Sequence, residues 1–239
     1  MRYLVLSDLH ANWEALQAVL ADANGRYDRI VCCGDLAGYG PDPNPVIEWV
    51  RAIAGPVIRG NHDRACAGLV DLEWFNPIAR TANMWTTAQL TKGNLNYLRD
   101  LPVGPMTIQG FQISHGSPFD EDEYLLSLKD AAETLSKLET NLAFFGHTHI
   151  QGAFMWMHGR FGAMAGPRLR LETDAAWLIN PGAVGQPRDG DPRAAYALYD
   201  TELNEVVQCR VHYDYETTAR KIVAAGLPDV LAARLAVGR

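Results

Sequence analysis

Short apolar runs closed by polar residues, four of the five with a glycine close behind, recur over the first two thirds of the chain. Arg2 to Leu6, Ile30 to Cys33, Pro56 to Ile58, Phe111 to Ile113 and Leu142 to Phe145 each read as a buried strand, too short for a helix and bounded by turn residues. Amphipathic stretches separate the first three. Asn12 to Ala23 puts Trp13, Leu16, Val19 and Leu20 on one side of a helix with Asn12 as its N-cap, and Pro43 to Ala54 gives a second helix. This alternation predicts parallel strands joined by crossover helices, an α/β class.

The pattern then changes. Arg64 to Arg99 is helix-rich, holds Trp74, Phe75, Trp85 and Tyr97, and is interrupted by Pro77 and Gly93. It reads as a helical insertion at about 64–99 whose aromatics either cover a site or only anchor the segment to the body. Met106 to Ile108 and Phe111 to Ser114 form a hairpin through Gln109 and Gly110, followed by an acidic loop from Ser117 to Glu123 and a helix from Asp130 to Leu138. Beyond residue 150 the expectation is antiparallel: strands at Gly152 to Met157, Arg168 to Glu172, Ala176 to Ile179, Ala195 to Asp200 and Glu205 to His212. Two helices, Glu216 to Ala225 and Asp229 to Ala236, follow. No repeat, low-complexity tract or linker divides the sequence, so residues 1–239 are read as one domain.

Composition narrows the function more than the fold. The chain has 239 residues, 48% hydrophobic and 21% charged, with a formal net charge of -7. That balance supports a core and argues against an extended nucleic-acid track, although a small nucleotide remains admissible as substrate. No stretch is apolar for the length a membrane span needs, and no leader peptide is visible. Cys32, Cys33, Cys66 and Cys209 lack CxxC spacing and read as reduced core or boundary residues, which makes cytoplasmic the expected location.

The polar residues at the strand ends carry the chemistry. Asp8 and His10 stand in SDLH, Asp35 in CGDL, Asn61 and His62 in GNHD, His115 in SHG, and His147 and His149 in GHTH. Alone, Asp8 and His10 could be a helix cap and a surface imidazole, and a GD dipeptide is common in turns. Together, strand ends on one edge of a sheet converge, and glycines beside them permit close approach. Residues two apart in an extended segment project to one side, so Asp8 with His10, and His147 with His149, are expected to share an ion. Imidazole and carboxylate without thiolate suit a transition metal.

In order and spacing, SDLH, GD, GNHD, HG and GHTH resemble the calcineurin-like metallophosphoesterases over residues 3 to 149, and NPGAVGQPR at 180 to 188 extends the fit. The resemblance implies a four-layer α-β-β-α sandwich with two mixed β-sheets. It further implies two divalent ions, manganese, iron, zinc or nickel, hydrolysing a phosphoester through metal-bound hydroxide. One ion would be held by Asp8, His10, Asp35 and His149, and the other by Asp35, Asn61, His115 and His147. His62 would act as general acid toward the leaving oxygen, with Asp63 orienting its ring. Two divalent ions also reverse the charge locally, so an acidic chain can attract phosphate.

Departures from neighbouring branches set the remaining expectations. Where the phosphatase branch carries GDxVDRG and GNHE, this chain has GDLAGYG, with Gly38 and Tyr39, and GNHD. That counts against a phosphoprotein phosphatase and favours phosphodiesters, nucleotide-derived ones included, over phosphomonoesters. Arg64 and Arg188 are the candidates to grip phosphate, each with a surface or bracing role as the alternative. Tyr39 could stack on a base or pack against its loop, and Asn180 shapes a turn ahead of Pro181. A scaffold with a degraded site, as in the retromer subunit of this fold, and a single-metal nuclease are the competing readings. The expected partner is a small phosphorylated substrate, with the helices from Glu216 able to supply a dimer surface.

Overall fold

Strand β1 (Arg2–Leu6) is buried along nearly its whole length, and its two faces set the layering. The computed structural model describes residues 1–53 and 55–239. Leu4 and Leu6 pack with Ala15, Leu16 and Val19 of α1 (Trp13–Ala23) and with Val46, Ile47 and Val50 of α2 (Pro43–Ile53). Tyr3 and Val5 point the other way, into a core shared with Phe111, Ile113, Phe144 and Ile179. Alternation with period two thus makes one strand the floor of two cores.

The first sheet runs β2 (Arg29–Cys32), β1, β10 (Ala194–Asp200), β11 (Glu205–Val211), β8 (Arg168–Arg170). β1 is parallel to β2 and antiparallel to β10. The second sheet runs β3 (Met106–Thr107), β4 (Gln112–Ile113), β5 (Leu142–Phe144), β9 (Ala176–Asn180), β6 (Gly152–Met157), β7 (Arg160–Met164). Here β4, β5 and β9 are parallel and the β6–β7 hairpin is antiparallel. Helix α6 (Leu128–Leu135) lays Ala131 and Leu135 on Ala143, Phe145 and Leu178, the outer face of the second sheet. The result is helix, sheet, sheet, helix, with both sheets mixed.

After β2 and α2 the chain adds α3 (Asn61–Cys66), a single 3-10 turn at Leu72–Trp74, α4 (Pro77–Gln89) and α5 (Lys92–Asp100). Helices α7 (Tyr215–Ala224) and α8 (Asp229–Leu235) close the fold. Ala79 and Ala82 of α4 meet Ile222, Leu231 and Leu235 around Tyr39, so the insertion and the C-terminal helices form one apolar cluster beside the strand ends. Burying a leucine side chain contributes roughly 1.5–3 kcal/mol. Leu6→Ala, at a fully buried position, is expected to cost about 2–5 kcal/mol.

Two segments depart from the sequence pattern. Pro56 to Ile58 does not extend into a strand; it makes a single parallel bridge, Cys32 with Val57, because Pro56 lacks an N–H and Gly60 follows closely. β7 was not expected, since its run holds Gly162 and few β-formers. Its hairpin turn, His158–Gly159 with φ of 51° and 73°, is the left-handed pair a two-residue loop requires. The expected end of α2 at Ala54 lies outside the described residues. Among the described residues, no helix is long and apolar enough to cross a membrane.

Candidate metal centre

β1, β2, β4 and β5 deliver their C-terminal ends to one place, and the residues that follow turn sharply. Asp8, His10, Asp35, His147 and His149 all have positive φ, between 44° and 66°. The expectation that Asp8 with His10, and His147 with His149, pair through extended alternation is therefore corrected. Each pair is aimed by left-handed backbone, which few non-glycine residues adopt, Asp and His more readily than most, and which costs of order 1–3 kcal/mol per residue. The turns are held by backbone bonds across strands: Asp8 N–H to the Gly34 carbonyl at 3.0 Å, His10 N–H to that of Asp35 at 2.9 Å, and Gly146 N–H to that of His115 at 2.8 Å. Gly60 is required because a Cβ there would run into the Asp35 carboxylate.

Three imidazoles are oriented alike. Nδ1 of His10 lies 3.0 Å from the Ala37 carbonyl, Nδ1 of His115 2.9 Å from that of Cys33, and Nδ1 of His149 2.6 Å from that of Gln186. A carbonyl only accepts, so each Nδ1 donates and each Nε2 is turned inward. His10 Nε2 and His149 Nε2 face each other at 3.1 Å. Asp35 Oδ2 stands 3.5 Å from His10 Nε2 and 3.4 Å from His115 Nε2, while Asp8 Oδ1 is 3.3 Å from His149 Nε2. Asn61 Oδ1 is 3.0 Å from His115 Nε2. Asp8 Oδ2, Asp35 Oδ2 and His147 Nε2 are buried with no hydrogen-bond partner among the described residues.

Acceptor atoms buried against one another are costly unless a cation lies among them. Two groups satisfy that need, Asp8 with His10, Asp35 and His149, and Asp35 with His115 and His147, the donor atoms of each lying within 4.8 Å of one another. Asp35 belongs to both, with Oδ1 fixed by the His62 N–H at 2.9 Å and Oδ2 turned between the groups. The nitrogen and oxygen donors fit divalent transition metals.

Burial dominates the electrostatics. It pushes the Asp8 carboxyl up to about 7, with Asp35 adding and His115 opposing. It holds His10 and His149 well below the ordinary imidazole value and brings His147 down to about 3. At His115 burial also disfavours charge, but Asp35 and Asp8 outweigh it and lift the ring to about 10.

His62 lies beside this cluster, its ring centroid 5.0 Å from that of His10 and 4.3 Å from that of Tyr39. Asp63 was expected to orient it and does not. Its Oδ1 accepts from the N–H groups of Leu36 and Ala37 at 2.9 and 3.0 Å, and its Oδ2 from that of Gly60 at 3.0 Å. Asp63 therefore ties the Asp35 loop to the start of α3. The partner of His62 Nδ1 is Asn83 Oδ1 on α4, at 2.8 Å. Gly38, with φ of 81°, makes room for that pair, since a Cβ would stand 2.6 Å from His62 Nδ1 and 2.9 Å from Asn83 Oδ1. Asn83 was missed; its signal was an amide on the helix face that also carries Ala79, Ala82 and Thr86, all buried.

The two arginines part company. Arg64 is bound to Glu121 and, at 2.6 Å, to Asp122, so it braces the acidic loop. Among the described residues Arg188 has no carboxylate in salt-bridge contact. Its Nη2 donates to Gln186 Oε1 at 3.1 Å, its guanidinium lies 5.5 Å from the centre of the Tyr39 ring, and its Nε is buried without a partner. Tyr39 itself is packed, 6% exposed. Asn180 makes the expected turn, accepting from Gly182 N–H at 2.8 Å. It also donates to the Gly146 carbonyl and to Thr148 Oγ1, both at 2.9 Å, bracing the His147 loop. Tyr124, unexpected, lays its ring 3.8 Å from that of His147.

Residues 1–204 match the family model described as calcineurin-like phosphoesterase superfamily domain. An uncharacterized protein of Methanocaldococcus jannaschii is 35% identical over 98% of this chain and 97% of its own. The crystal structure of a metallophosphoesterase from Sphaerobacter thermophilus shares 42% identity, with a TM-score of 0.88 over 100% of this chain and 99% of that one. A hypothetical protein of Pyrococcus horikoshii, 22% identical, has the same fold, with a TM-score of 0.82 over 100% and 98% of the two chains.

Proposed function

Because the chain belongs to the calcineurin-like phosphoesterase superfamily, we propose that it is a dinuclear-metal-dependent phosphoesterase that prefers phosphodiesters to phosphomonoesters. The observation that carries this is the inward turn of His10, His115 and His149, each with Nδ1 on a carbonyl and Nε2 3.3–3.5 Å from a carboxylate oxygen of Asp8 or Asp35. Asp8, His10, Asp35 and His149 would hold one ion, and Asp35, Asn61, His115 and His147 the other, with manganese, iron, zinc and nickel all suited to the donors. When bound, such ions polarise a phosphoryl oxygen and make water acidic enough to supply hydroxide near neutral pH.

The chain's own residues do the rest. Arg188, without a carboxylate partner, binds and orients the phosphoryl group, and Arg64, committed to Glu121 and Asp122, does not. His62 keeps its Nδ1 proton on Asn83 Oδ1, so Nε2 is the atom that exchanges a proton with the leaving oxygen. Diester preference is supported by the absence of a second phosphate-binding cation at Gly38 and Tyr39, leaving Arg188 to meet one anionic charge. Action in the cytoplasm belongs to the same proposal, supported by four unpaired cysteines.

The experiment is metal analysis of the purified chain followed by turnover of paired chromogenic mono- and diesters after manganese reconstitution. Two metal equivalents and a higher kcat/KM for the diester are expected. A large monoester preference overturns the diester assignment, and a chain that binds no metal and turns over neither ester overturns the whole.

A further inference from the structure

Beside the metal centre lies a cavity of about 460 Å³ that Asn61, His62 and His147 help to line. Its walls are aromatic. Phe75 meets the His62 ring edge-on with centroids 5.4 Å apart, Tyr124 lies against His147, and Tyr39 closes the side beneath Arg188. At the mouth stands Trp74, on the one-turn 3-10 helix, with 85% of its surface exposed. Polar groups share the lining: Asn76 and the Arg64–Asp122 ion pair.

An indole that exposed, on a turn rather than in a hydrophobic cluster, contributes little to packing. Among the described residues Trp74 packs into none of the apolar cores, whereas its neighbour Phe75 packs with Tyr39 and Ala79. Open aromatic faces next to a phosphate-binding centre make a stacking platform, tolerant of any flat ring. Hydrogen-bonding groups in the lining favour a ring with polar edges over an acyl chain. The volume falls within the range of small-ligand sites.

From this geometry we infer that the cavity is a subsite for a nucleobase or similar heteroaromatic ring, carried by the phosphoester whose phosphorus lies at the metal centre. The inference rests on the phosphoesterase reading and narrows its substrates to nucleotide-like esters. Trp74 and Phe75 stack on the ring, and Asn76, whose Oδ1 is held by the N–H groups of Ile78 and Ala79, offers its Nδ2 to an edge.

The test is calorimetric, so it does not depend on turnover. Adenosine 5′-monophosphate and ribose 5-phosphate are titrated into the purified chain with and without manganese. The nucleotide is expected to bind about tenfold more tightly than the sugar phosphate. Trp74→Ala should remove the difference while leaving the sugar phosphate affinity in place, and Trp74→Phe should retain it. Equal affinities, binding of neither compound, or a preference that survives Trp74→Ala overturns the inference. A preference that disappears in Trp74→Ala but comes without hydrolysis of any ester keeps the subsite and overturns the phosphoesterase reading instead.

Discussion

Asn83 Oδ1 sits 2.8 Å from Nδ1 of His62, and this neutral amide stands where the sequence suggested a carboxylate would act. The pair links α4, a helix of the inserted segment, to the first residues of α3. Asn83→Ala should lower kcat by about 10–100-fold, most for esters with poor leaving groups, while metal content stays unchanged. Asn83→Gln, which can restore an acceptor, should recover part of the loss. Unchanged kcat in the alanine variant would show that the ring is held by packing against Tyr39 and Phe75 alone.

His62→Ala should retain both metal equivalents and lose about 10²–10⁴-fold in kcat. The loss should shrink as the leaving group becomes a better one, which a series of substituted aryl esters measures. A loss independent of leaving group would place His62 in binding and remove it from proton transfer.

Gly38→Ala adds a methyl group that meets both members of the pair, at a backbone φ of 81° that alanine disfavours. A drop in stability of about 1–3 kcal/mol is expected, together with a fall in kcat resembling that of Asn83→Ala. Chemical denaturation and steady-state kinetics separate the two effects. A variant as stable and as active as the parent would contradict the crowding seen here.

The arginines offer a paired comparison. Arg188→Ala should raise KM and lower kcat/KM by about tenfold or more, through a lost charge-assisted contact to phosphate. Arg64→Ala should act through the loop it braces, lowering thermal stability and leaving kcat/KM for a small chromogenic ester within about threefold of the parent, since a braced loop lies outside the phosphate contact. Reversal of the two phenotypes would transfer the phosphate-binding role to Arg64.

A pH-dependent contribution is expected away from the centre. Hydrogen bonding to Arg193 lowers the Asp191 carboxyl to about 2, against burial that opposes it. The unfolded value is near 3.9, so the folded carboxyl binds its proton less readily. Its stabilising contribution is complete above pH of about 4 and is lost as pH falls through about 2. Asp191→Asn should therefore lower Tm at neutral pH, with the gap to the parent closing toward pH of about 2. A gap that stays constant over that window would sink the assignment.

Most of the architecture was legible because β1, β6 and α1 are written in strong periodic patterns with clear ends; Asn12, the expected N-cap, accepts from Ala15 N–H at 3.1 Å. β7 was not legible, since Arg160, Gly162 and Ala163 carry little strand preference and the strand exists by pairing with β6. The residues brought together at the centre were those named from the motifs, but the backbone that aims them was not. Positive φ at Asp8, His10, Asp35, His147 and His149 is imposed by cross-strand bonds that no local pattern encodes. Asn83 and Tyr124 lay in segments whose contacts are entirely tertiary, as was the difference between Arg64 and Arg188.

Asp8, His10 and Asp35 follow strands of one sheet, and His115, His147 and His149 follow strands of the other. The centre is therefore a vernier for the packing of Tyr3, Phe111 and Phe144 between them. A slip of one sheet over the other by a fraction of an ångström would leave the strands paired and the core dry, yet part the two halves of the cage. Substitutions deep in that seam, far from any ligand, are then expected to show first as lost metal affinity, before any measurable loss of helix or strand.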